Sequence, residues 1–322
     1  MASGSKKVIY AAVIGNTGIA VTKFIAAFFT GSGAMLAEAI HSVVDTMNQV
    51  LLLWGIRQSN RPANKDFPLG FGKEVYFWSF VVALLVFAVG AGVSLYEGVK
   101  RLIHPHPIEN VVVSYVVLIV AMVFEGGAWW LALKTFKTVK GDRGYFQAAH
   151  DEKDPTMFVV LLEDSAALLG LVVAFVGTLL GQLTGIPYFD GAATIVIGII
   201  LTLVACFLAW ETKSLLIGEA ADPKVDATIR QIVSDDDRIV GVNELITVQM
   251  GPHHILVNLS LDFDQSLSSG AVEETISEFN QEIKSAIPAV RRVFIEAESY
   301  LAHQRQQQAE HDLHAIEKKQ ED

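Results

Sequence analysis

Six runs of mostly apolar residues, at about 8–30, 34–57, 75–99, 112–136, 156–183 and 189–212, fill the first two-thirds of this 322-residue chain. A helix that crosses a bilayer needs about 20 such residues, and each run meets that length. In hydrocarbon every backbone polar group must be bonded within the protein, so runs of this kind form helices. The connections between them carry turn chemistry or charge. Gly31-Ser32-Gly33 joins the first pair, and residues 58–74, QSNRPANKDFPLGFGKE, form a polar loop rich in Pro and Gly. KRLIHPHPIENV and KTVKGDRGYFQAAHDEKDP separate the next elements, and the last pair is joined only by TGIPY at 184–188.

Composition agrees with a membrane portion followed by a soluble one. The chain is 52% hydrophobic and 18% charged with a mean hydropathy of +0.40, against roughly a quarter charged for soluble domains. Few charges fall within 75–212. The single Cys206 excludes an intrachain disulfide framework and any Cys-rich zinc ribbon. The net charge of −11 comes largely from the C-terminal third, which argues against nucleic acid as a partner. MASGSKK lacks an Arg-rich amphipathic transit pattern, and the first apolar run is too long for a signal segment, so it reads as a retained span. The lipid bilayer is thus the first partner expected, with a bacterial inner membrane as the expected location.

Lys and Arg bias sets the expected orientation. Lys6, Lys7, Arg57, Arg61, Lys65, Lys73, Lys137, Lys140, Arg143, Lys153 and Lys213 flank the spans on one side, and only Lys100 and Arg101 on the other. Both termini are therefore expected in the cytoplasm. Tyr76, Trp78, Trp129, Trp130, Tyr188 and Trp210 lie near span ends, as interfacial aromatics do.

After the last span the periodicity changes. Asp222-Pro223 is an N-cap with proline at the first helical position, opening a helix to about Ser234. Asn243–Gln249 reads as a strand, Gly251-Pro252-His253-His254 as a turn, and Ile255–Phe263 as a strand with apolar residues at every second position. Residues 269–285 place Val272, Ile276, Phe279 and Ile283 on one helix face, and Arg291–Glu296 reads as a last strand. The expected fold is an all-α six-helix transmembrane bundle (1–217), then a small α+β ferredoxin-like cytoplasmic domain of order α-β-β-α-β (218–299) and a polar tail (300–322). The tail is Gln-rich and charged, either a polar helix or disordered. Its His303, His311 and His314 read better as solvated than as metal ligands.

Ionisable residues inside spans are costly and mark function. They are Lys23, Glu38, His41, Asp45, Glu97, Glu125, Glu163 and Asp164. Lys23, Glu38 and Glu97 lie where long side chains can snorkel to the interface. His41 and Asp45 are one helical turn apart and so share a face, with Asn48 a near-turn further on. One imidazole with two or three carboxylates suits a divalent first-row ion: Zn2+, or Mn2+, Fe2+ or Co2+.

The stretch SGAMLAEAIHSVVDTMNQ resembles the second-span signature of the cation diffusion facilitator family of zinc transporters. The six spans, LGFGKE before the third, and FDGAATIVIGIILTLVACFLAWETKSLLIGEAADP at the sixth resemble it too, so that the likeness covers about 8–299. EDSAALLG in the fifth span is most similar to the branch that includes the ninth human zinc transporter. The resemblance implies a homodimer that moves divalent metal ions outward against protons by alternating access. It implies a four-residue site with two ligands from the second span and two from the fifth, in the pattern His/Asp-x-x-x-Asp. His41, Asp45 and Asp164 match three of these positions. The fourth is Val160, which cannot ligate. Glu163 is the neighbouring candidate, turned about 100° from Asp164 around the helix, and Asn48 or a water is the other. Phe67 and Phe71 stand where many members carry loop histidines. Some members also bind metal in the soluble domain, and His253, His254, Glu296 and Glu298 are the residues available here for such a regulatory site.

Metal binding to a His and carboxylates releases protons, so coupling to a proton gradient needs no further residue. Two other readings use the same residues: an intramembrane metal-dependent hydrolase, which would need an open coordination position and a substrate cluster, and a membrane metal sensor that does not transport.

Overall fold

The fold is known from a computed structural model that describes residues 2–30, 33–105, 111–141, 144, 148 and 153–321. Within these, the side chains of 2–9, 11–12, 26–27, 29–30, 33–41, 44, 139, 310–311 and 313–321 fall outside the description. That places the side chains of Glu38, His41, His311 and His314 outside it. The chain divides into two compact units, Met1–Ile217 and Gly218–Asp322.

The first unit is helical: α1 (Ala2–Thr30), α2 (Gly33–Ser59), α3 (Glu74–Leu85), α4 (Gly92–Ile103), α5 (Val111–Lys140), α6 (Pro155–Thr184) and α7 (Tyr188–Ile217). A π-helical segment, Val86–Ala91, joins α3 to α4, so that Glu74–Ile103 runs as one element. By length and composition, four elements among the described residues can cross a membrane: Glu74–Ile103, Val111–Thr138, Pro155–Thr184 and Tyr188–Ile217. In α1 the described apolar stretch is the shorter Val13–Ile25.

The burial pattern is that of a protein in lipid. Large apolar side chains such as Ile14, Val123, Leu203 and Trp210 face outward, while Asn16, Ser79, Glu125, Glu163 and Asp164 are buried. A soluble domain would sort these groups the other way. Helix α1 packs on α2 and α5, α5 on α6, and α7 on α4 and α6. Small residues set the closest approaches. A Cβ on Gly177 would lie 2.5 Å from Ala193 Cβ, and one on Gly198 would lie 2.7 Å from Leu95 Cγ.

Two of the aromatics expected at the interface point inward instead. Tyr76 is fully buried and its hydroxyl donates to Lys153 O at 3.1 Å. Trp129 donates its ring N–H to Ser165 Oγ at 2.9 Å. Each polar tip has found a partner distant in sequence. Trp130, Tyr188 and Trp210 are exposed.

The second unit follows the order α8 (Pro223–Ser234), β1 (Ile239–Gly251), β2 (His254–Phe263), α9 (Ser269–Ala286), β3 (Val290–Ala297), α10 (Tyr300–Glu321). Asp222 caps α8 by accepting from Lys224 N at 2.8 Å, and Ser268 caps α9 through Ala271 N at 3.3 Å. The three-stranded sheet runs β1-β2-β3, antiparallel then parallel. Its apolar face, with Val257, Leu259 and Leu261, packs against Ile229, Val233, Phe279 and Ile283 of the helices. The first strand begins four residues earlier than the alternation indicates, because its register shifts at Ile239/Gly241 and Val242/Glu244 interrupt the period of two. The tail is helical.

Candidate metal site of the membrane unit

The site is built where α2 faces α6. Helix α6 starts sharply: Asp154 caps it by accepting from Thr156 N at 3.2 Å, and Pro155 fills the first helical position. Its opening residues, Pro155 to Leu161, are all buried. Two turns on, the buried face becomes acidic at Glu163 and Asp164, which are only 8% and 2% exposed. Trp129 of α5, bonded to Ser165 one residue further on, fixes α5 against this part of α6.

Glu163 is held from α2. Asn48 Nδ2 donates to its Oε1 at 2.9 Å and Gln49 Nε2 donates to its Oε2 at 3.2 Å. Asn48 and Gln49 are 1% and 0% exposed. The two amides thus engage one carboxylate oxygen each, and among the described residues the buried carbonyl oxygens Asn48 Oδ1 and Gln49 Oε1 have no hydrogen-bond partner. Asp164 Oδ2 is in the same condition. Asp45, half-buried on α2, and Glu125, buried on α5, lie within electrostatic reach of both Glu163 and Asp164.

The expected residues are therefore only partly drawn together. Asp45, Asn48, Glu163 and Asp164 share one neighbourhood, and His41 lies on α2 one turn before Asp45, its side chain outside the described set. Val160, at the fourth position of the pattern, is fully buried in the apolar core with Phe158 and Val159. Among the described residues no three His, Cys, Asp or Glu side chains converge closely enough to hold a metal ion. Gln49 belongs to the cluster yet is uncharged, so a search confined to ionisable groups passes over it. Lys23 is buried within the bundle. It is 6% exposed, and its Nζ donates to Ser42 Oγ of α2 at 2.9 Å, a partner 19 residues away.

In the second unit His254 and Glu296, two of the residues considered for a regulatory metal site, are separated. Ile255 pairs with Val290 and Ser260 with Glu296. His254 and Glu296 thus stand at opposite ends of the β2–β3 pair, about 20 Å apart at the usual rise per residue. His254 lies near Arg291 and Arg292; burial, with those two charges, lowers its pKa below the ordinary value. Glu298 instead joins a polar network at the start of α10. Its Oε2 accepts from Ser260 Oγ at 3.3 Å and lies 3.0 Å from His303 Nδ1, while its carbonyl accepts from Asn243 Nδ2 at 2.7 Å. His303 Nε2 in turn meets Gln307 Nε2 at 3.1 Å.

Residues 9–217 match the cation efflux transmembrane domain. The chain belongs to the cation diffusion facilitator family. It is 33% identical over 263 residues to the proton-coupled zinc antiporter SLC30A9 of Xenopus laevis and 31% identical over 263 residues to the human protein of that name. These alignments cover 81% of this chain but 47% and 46% of the relatives, so the chain spans about half the length of those antiporters. The manganese efflux system protein MneP of Bacillus subtilis is 22% identical over 311 residues, which cover 92% of this chain and 96% of MneP. Within the family the chain falls on the SLC30A9 branch. The family is one of transporters rather than enzymes, and the hydrolase reading falls away with it.

Proposed function

We propose that this protein is a proton-coupled exporter of divalent metal cations, with Zn2+ as the leading substrate and Mn2+, Fe2+ or Co2+ as others. It would work by alternating access as a homodimer with six membrane spans, α1 and α2 being the first two, and with both termini in the cytoplasm of a bacterial cell. The observation that carries this reading is the buried oxygen cluster between α2 and α6. Among the described residues Asp164 Oδ2, Asn48 Oδ1 and Gln49 Oε1 are acceptors without donors, beside the carboxylates of Asp45 and Glu163. Buried acceptors left alone are costly, and a cation is the partner that satisfies several at once.

His41, Asp45 and Asp164 supply the first three ligands in this reading, and Glu163 the fourth, in place of the ligand that Val160 cannot be. The carboxylates share electrostatic reach without converging, so closure around an ion requires α2 to shift against α6. Ligand deprotonation couples metal loading to proton release. The names of the SLC30A9 relatives support zinc and proton coupling, and that of MneP supports manganese. The domain limits 1–217, 218–299 and 300–322 belong to the same proposal.

The test uses purified protein in proteoliposomes under an imposed pH gradient, with uptake of Zn2+, Mn2+, Fe2+ and Co2+ followed separately. Gradient-dependent uptake that is lost in both Asp45→Ala and Asp164→Ala is the expected result. Binding without flux for every metal would replace the exporter with a sensor. Flux that survives Asp164→Ala would move the site elsewhere.

A further inference from the structure

Beyond holding Glu163 and offering acceptors to a cation, the carboxamide pair Asn48–Gln49 has so far been given no part in choosing among metals. We propose that this pair determines metal selectivity: its two carbonyl oxygens are ligands that open the site to Mn2+ alongside Zn2+. The inference rests on the reading of the α2–α6 cluster as the metal site.

The geometry is specific. Each amide nitrogen gives one of its hydrogens to the same carboxylate, each to its own oxygen, at 2.9 and 3.2 Å. In an amide the nitrogen and oxygen share one carbon. Asn48 Oδ1 and Gln49 Oε1 are therefore held two bonds from atoms that touch Glu163, in a region where both side chains are at most 1% exposed. Among the described residues neither oxygen has a donor, and nor does Asp164 Oδ2. An amide can only accept through its oxygen. The unfilled capacity of this cluster is thus for a cation or a proton donor, and its atoms are oxygens.

Coordination chemistry turns this into a preference. Zinc takes four ligands in a tetrahedron, and His41, Asp45, Asp164 and one oxygen of Glu163 would complete it. Manganese favours six oxygen ligands in an octahedron, and carbonyl oxygens are among its preferred donors. The two amides raise the number of oxygens available around Glu163 from carboxylates alone to the count an octahedral ion can use. Metal on the carbonyl also polarises the amide and strengthens its N–H donation to Glu163, so positioning and ligation reinforce each other. Replacing the amides by apolar groups of similar shape would leave the tetrahedral set in place.

Isothermal titration of the 322-residue chain in detergent with Mn2+ and with Zn2+ tests this, comparing wild type with Asn48→Leu and Gln49→Met. In both variants the Kd for Mn2+ is expected to rise about tenfold, with Zn2+ changing much less. A thermal unfolding profile in detergent like that of wild type shows that each variant is folded. Equal weakening of both metals would overturn the proposal by showing that the pair only orients Glu163. Unchanged affinities would overturn it too. If wild type binds neither metal, the site reading itself falls, an outcome distinct from failure of the selectivity claim alone.

Discussion

The helical unit and the α/β unit each contain a carboxylate in a polar network, Glu163 buried and Glu298 partly buried, and the two networks are completed differently. Around Glu298 the partners are mutual. Ser260, His303 and Gln307 form a chain of contacts, and Asn243 bonds the backbone of the same residue. Around Glu163 two amides donate to the carboxylate while three acceptors, on Asp164, Asn48 and Gln49, stay unmatched among the described residues. A satisfied network stabilises a fold, whereas an unsatisfied one costs stability and persists where something else binds. The first ties the start of α10 to the sheet. The second is where the proposed ion would bind.

Mutation should therefore have opposite consequences in the two places. The largest contrast lies at Asp164. Asp164→Asn is expected to abolish metal uptake while the thermal unfolding midpoint stays level or rises, because a neutral carboxamide costs less to bury beside Asp45, Glu125 and Glu163 than a further acid does. A destabilised Asp164→Asn would show that the carboxylate has a structural partner. Next is close packing in the membrane unit. Gly177→Leu forces a side chain against Ala193 and should cost about 1–3 kcal/mol, seen as a lower unfolding midpoint in detergent. Glu163→Leu strands the two amide donors and should cost a similar or slightly smaller amount, about 1–3 kcal/mol, and Glu163→Gln should recover part of it.

Smaller effects are expected in the soluble unit. His303→Ala removes one member of a complete network and should cost about 1 kcal/mol, with faster hydrogen exchange at the start of α10 and metal uptake unaltered. The least effect is a pH dependence from His254. Its pKa lies below the ordinary value near 6.5 in the folded state. The unfolded chain then takes up the proton first, so the stabilising contribution is whole above about 6.5 and declines as pH falls toward the folded value. Unfolding of the protein at pH 7.5 and pH 5.5 should show a slightly smaller gap for His254→Gln than for wild type.

Much of this was legible before any coordinates. Run lengths and charge gaps pointed to the long helices, and Asp222-Pro223, the alternation from Ile255, and the Val272–Ile276–Phe279–Ile283 face pointed to the elements of the soluble unit. Asp45, Glu163 and Asp164 stood out because a charge inside an apolar run is expensive. What stayed hidden depends on partners far apart in sequence. Lys23 looks able to snorkel until Ser42 is seen beside it, and Tyr76 and Trp129 look interfacial until Lys153 and Ser165 claim their polar tips. Gln49 and Asn16 carry no charge, and neither draws the eye in a list of ionisable groups, yet both are buried with an unmatched oxygen. A polar amide amid TMNQVLLLW was the available signal for Gln49.

The most direct measurement is the position of a bound ion, by anomalous scattering from crystals of the full chain grown with Mn2+. The account expects a peak between α2 and α6, bounded by Asp45, Glu163 and Asp164. A peak found only elsewhere, with that space unfilled at saturating metal, would contradict it.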